Sequence, residues 1–79
     1  MAVYVAIVKL SENDSEAEFS FGPNEPLDGR ITLSKVSGVA SVVREYPGDS
    51  DGFYSSRAKR KIEVHWREGI VPERTSWAS

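Results

Sequence analysis

The sequence predicts a single small α+β domain spanning residues 1–79: an antiparallel sheet of about four strands in two hairpins, packed by one C-terminal helix over about 52–68, with a short C-terminal tail. Three observations carry that expectation. Stretches rich in valine, isoleucine and phenylalanine, separated by turn formers, fill the first 46 residues. Strong helix formers occupy 57–61. Two loops dense in proline and glycine, "GPNEPLDG" and "PGDSDG", divide the chain into pieces of element length.

The first element is "AVYVAIVKL", residues 2–10. It is apolar on both alternating faces, which at this length favours a central strand buried on two sides over a helix. It has neither a basic leader nor a small-residue cleavage site, and it meets Lys9 well before the ~20 apolar residues that a membrane span needs. A cytoplasmic protein with no membrane association is therefore expected. "SENDSE" makes a polar turn, after which Ala17, Phe19 and Phe21 alternate with Glu18 and Ser20 as a half-buried strand. Beyond "GPNEPLDG", Ile31 and Leu33 point one way, "VSG" turns the chain at Gly38, and the valine-rich run 39–46 returns as the second hairpin.

The segment "SSRAKRKIEVHW" admits two readings. Ile62, Val64 and Trp66 alternate with polar neighbours, which would give an all-β chain with a fifth strand at about 60–67. A helix is favoured, because Asp51 can cap its start and Gly69 with Pro72 can stop it. Tyr54, Ala58, Ile62, His65 and Trp66 then share one face. Arg57, Arg60 and Arg67 fall in an opposite, exposed sector, while Lys59 and Lys61 flank the apolar face and Glu63 interrupts the stripe. Trp77, in the tail, is expected to fold back on the core.

Composition limits the chemistry. With no cysteine and one histidine, the chain has neither a disulfide nor a histidine-rich metal site to staple a core that supplies only ~3 to 5 kcal/mol at this size. The glycines at 22, 29, 38, 48, 52 and 69 are too dispersed for a phosphate-cradling loop. "GDSDG" resembles part of a calcium loop, yet Pro47 and Ala58 would fall where the first ligand and the bidentate glutamate belong. Glu12, Asp14, Glu16 and Glu18 read as a solvated turn, and Asn13-Asp14-Ser15 as a chance match to the glycosylation pattern. His65 has no nucleophile motif near it in sequence and reads as a boundary residue of the docking face. No catalytic, cofactor-binding or metal-binding residue is expected.

Charge is uneven: residues 1–55 carry nine acids and four bases, residues 56–79 six bases and three acids. The expected function is a non-enzymatic protein-binding module of the inhibitor, immunity or antitoxin kind that bacteria and phage encode. Arg57, Arg60, Lys61, Arg67 and Trp77 are the candidate partner-binding residues. The alternatives are a nucleic-acid-binding accessory protein, disfavoured by a sequence pI of about 5.3, and a homo-oligomer that pairs sheets.

Overall fold

The computed structural model describes residues 4–49 and 51–78. It is an α+β fold with one antiparallel sheet and one helix, in the order β1 (Tyr4–Glu12), β2 (Glu16–Gly22), β3 (Gly29–Ser34), β4 (Ala40–Arg44), α1 (Phe53–Arg67) and β5 (Arg74–Ala78). Across the sheet the strands lie β4-β3-β2-β1-β5, every neighbour antiparallel. The two expected hairpins are present; Ala2 and Val3 of the expected first strand lie outside the described residues.

Alternation builds the core. Val5, Ile7, Ala17, Phe19, Phe21, Ile31, Leu33 and Ala40 all reach the helix-facing side and are essentially inaccessible, where they meet Ala58 and Ile62 of α1. Register slips by one residue at two places. Leu10 is the extra residue of β1 between Lys9 and Ser11, and Val43 that of β4 opposite the Arg30–Ile31 step.

The region 60–67 is helical, and the fifth strand comes from the tail. The helix starts on a different cap from the one expected. Gly52 turns the chain, and the carboxylate of Asp49, rather than Asp51, accepts from the amides of Phe53, Tyr54 and Ser55 at 2.8, 3.0 and 3.3 Å. The other end closes as the stop signal implied. The Gly69 amide donates to the Trp66 carbonyl and the Ile70 amide to the His65 carbonyl, with Gly69 at φ 80 supplying the left-handed turn.

Two side chains fasten the helix to opposite edges of the sheet. Glu63 accepts from the outward amide of Ala40 on β4 at 2.8 Å, and His65 Nε2 lies 3.0 Å from Thr75 Oγ1 on β5. β5 pairs with β1 from Tyr4↔Ala78 to Val8↔Arg74, and the Lys9 amide extends the ladder to the Glu73 carbonyl. Trp77, opposite the buried Val5, packs on the core as expected. β1 is an inner strand, as expected, but nothing in this chain covers its second face. The tail lies beside it, not over it, so its second face stays open, with Tyr4 53% and Leu10 49% exposed. Among the described residues no helix is long and apolar enough to cross a membrane.

Candidate interaction surfaces

The basic run of α1 does not form one stripe. Arg60 and Arg67 are exposed, whereas Lys59 and Lys61 are half-buried beside the docked face. Arg57 is drawn out of the stripe altogether. Its guanidinium carbon sits 3.6 Å from the Phe53 ring centroid and 5.2 Å from that of Trp77, and Nη1 donates to the Phe53 carbonyl at 3.2 Å. The delocalised, weakly hydrated guanidinium suits such a slot. The structure thus joins Arg57 and Trp77 to each other, with the Arg57 guanidinium engaged on Phe53 and Trp77.

Near the end of α1, Trp66, Glu63 and Arg67 face the β3–β4 turn at Ser37, Gly38 and Val39 across an open concavity of about 650 Å³. Trp66 forms its wall against Gly38, and Glu63 is already committed to the Ala40 amide. Only Arg67 joins this surface from the candidate residues.

His65 invites a catalytic comparison, since Thr75 Oγ1 lies on one ring nitrogen and Glu68 Oε1 is 3.9 Å from the other. The acid is beyond hydrogen-bond reach, and the contact with Thr75 works as a helix-to-strand fastener. Among the described residues no group of three or more His, Asp or Glu side chains is placed to hold a metal ion. The acidic turn is organised internally. The Asn13 amide oxygen accepts from the Ser15 and Glu16 amides, and Glu12 is bound by Lys9 and Lys35. Hydrogen bonds from Lys35 and then Lys9 hold the Glu12 carboxyl down to about 2, and the same contact raises Lys9.

The opposite face of the sheet carries residues that sequence reasoning did not single out. Register places Arg44 opposite Arg30, Arg30 opposite Ser20, Ser20 opposite Val8 and Val8 opposite Arg74. These five form one row across all five strands, on the side away from the helix. Among the described residues none of the three arginines has a carboxylate within 4.0 Å. Arg30 Nη1 instead donates to the Leu27 and Gly29 carbonyls at 2.7 and 2.9 Å. Between Arg30 and Arg74 lies a concavity of about 310 Å³, with Val8, Leu10, Pro26 and Leu27 as its apolar lining and Glu25 and Asp28 from the β2–β3 loop also bordering it. Alternation with Ile31 and Leu33 could have placed Arg30 on the outer face, but Arg44 shares the alternation of Ala40 and Val42 and is turned outward only by the extra residue Val43, and Arg74 sat in an unassigned tail.

Compared with known proteins, the chain matches no family model, no curated protein and no solved structure.

Proposed function

We propose that the chain is a non-enzymatic protein-binding module that engages its partner through the open face of its sheet. The observation that carries this reading is the uncovered side of β1. Tyr4, Ala6, Val8 and Leu10 are apolar on the face opposite the helix, where a strand of a one-layer sheet in water ordinarily carries polar residues. Five strands at about 4.8 Å spacing make a face roughly 20 Å wide, the scale of a small specific interface. An apolar lane flanked by arginines has the make-up of a docking patch, whose core is apolar and whose charged groups orient the partner. An inhibitor, immunity protein or antitoxin needs no more than this, and the freedom from cysteine supports a cytoplasmic setting.

The test is affinity capture from the native host followed by mass spectrometry, using the wild-type chain, Tyr4→Ser/Leu10→Ser and Arg60→Gln/Arg67→Gln. Capture of a partner by the wild type and by the helix variant, but not by the sheet variant, supports the reading. Capture that survives Tyr4→Ser/Leu10→Ser sinks it. Recovery of nucleic acid, lost only in Arg60→Gln/Arg67→Gln, would support the accessory-protein alternative, and self-association in sedimentation lost in the sheet variant would support the homo-oligomer.

A further inference from the structure

The row Arg44-Arg30-Ser20-Val8-Arg74 sets two like charges side by side at one end and a third arginine at the other. Arg30 and Arg44 are direct cross-strand neighbours of like charge, an arrangement that weakens a sheet, and no carboxylate lies within 4.0 Å of either among the described residues. Arg30 is also held in place, because the Leu27 and Gly29 carbonyls fix its guanidinium and less freedom remains to be lost on binding. Like charges held side by side with no carboxylate in ion-pair contact are what an anionic partner would relieve.

Resting on the protein-binding reading above, we infer that the partner presents an acidic extended segment that crosses the strands along this row, its carboxylates on Arg30 and Arg74 and an apolar side chain seated between them. Spacing supports this. Arg30 and Arg74 are three strands apart, about 14 Å at 4.8 Å per strand, and an extended segment covers about 13 Å in four residues. Residues i, i+2 and i+4 of such a segment project to the same side. The pattern acid-x-apolar-x-acid therefore sets one carboxylate on each arginine and drops the apolar side chain into the concavity lined by Val8, Leu10 and Leu27. Arg44, beside Arg30, adds a second donor fork for the first carboxylate.

A nucleic-acid strand fits less well. It carries a charge at every residue and would meet Glu16 and Glu18 on the same face, together with Glu25 and Asp28 at the border of the concavity. A segment with two spaced acids sets its charges on Arg30 and Arg74 and brings only its apolar residue beside Glu25 and Asp28 at the border of the concavity.

The test is panning of a phage-displayed library of random dodecapeptides against the full chain, followed by affinity measurement on a synthetic peptide from the enriched pool. The expected pool is rich in Asp and Glu at i and i+4 around an apolar residue. Arg30→Gln and Arg74→Gln should each weaken binding about tenfold, as loss of a close charge pair does, while Arg60→Gln leaves it unchanged. Arg44→Gln gives a readout that a structural role would not move, weakening the peptide while the melting temperature holds or rises. An enriched pool without acidic excess, sensitive to Tyr4→Ser/Leu10→Ser, overturns the acidic segment and leaves the protein-binding reading standing. An empty pool counts against both. Tighter binding of a twelve-nucleotide thymidylate strand, lost in Arg30→Gln, overturns the inference in favour of nucleic acid.

Discussion

Gly38 and Trp66 are in such close apposition that a Cβ on Gly38 would stand 2.6 Å from Trp66 Cδ1, with φ at +75. The β3–β4 turn thereby becomes the seat of the helix's last aromatic anchor. Gly38→Ala adds both a left-handed penalty and a clash with a ring that packs on the core. It is expected to cost about 1–3 kcal/mol in urea unfolding, and a neutral result would show that the indole moves freely.

The helix start should depend on Asp49 and not on Asp51. Asp49→Ala leaves three amides without their acceptor and is expected to cost about 1–2 kcal/mol, whereas Asp51→Ala should stay within about 0.5 kcal/mol. Thermal unfolding followed by circular dichroism compares the two. Equal losses would contradict the cap.

Arg57 should behave as a packing residue. Lysine keeps the charge but cannot lie flat between Phe53 and Trp77, so Arg57→Lys is expected to lose about 0.5–2 kcal/mol. Arg60→Lys and Arg67→Lys, at exposed positions, should be nearly silent. Chemical denaturation of the three variants settles the contrast.

Glu12 gives the fold a defined acid dependence. Its carboxyl titrates at about 2 in the folded chain against an ordinary value of 4.5, because Lys35 and Lys9 favour the charged form. The folded state therefore binds fewer protons than the unfolded state between those values. The stabilisation is fully present above about pH 4.5 and is lost as pH falls toward 2. Glu12→Gln should be less stable than wild type at neutral pH, and the gap should close on acidification. A gap that stays constant from pH 7 to pH 2 would rule this out.

The hairpins were legible because Ile31 with Leu33 and Phe19 with Phe21 alternate around polar residues, a signal local to each strand. The period-2 run Ile62-Val64-Trp66 misleads for the same reason. In the helix Ile62 is buried and Trp66 packs on the core, while Val64 is only half-buried on another side. β5 was not legible. "RTSWA" holds one large apolar residue, and its strand conformation is imposed by the free edge of β1 some seventy residues earlier. The arginine row fails to show in sequence by the same logic, since it exists only once register and strand order are set. A charge cluster in one dimension drew attention to α1, where packing then removed Arg57 from it.

The pairing of Tyr4 with Ala78 also sets how the fold responds to force. β1 and β5 are antiparallel neighbours whose outer ends lie together, so tension applied through the two ends of the chain loads one hydrogen-bonded pair at a time. The strands unzip instead of shearing, a mode that resists little. The first event under load would be the peeling of β5, carrying Trp77 off Arg57 and baring the edge of β1 before the hairpins or the helix are disturbed.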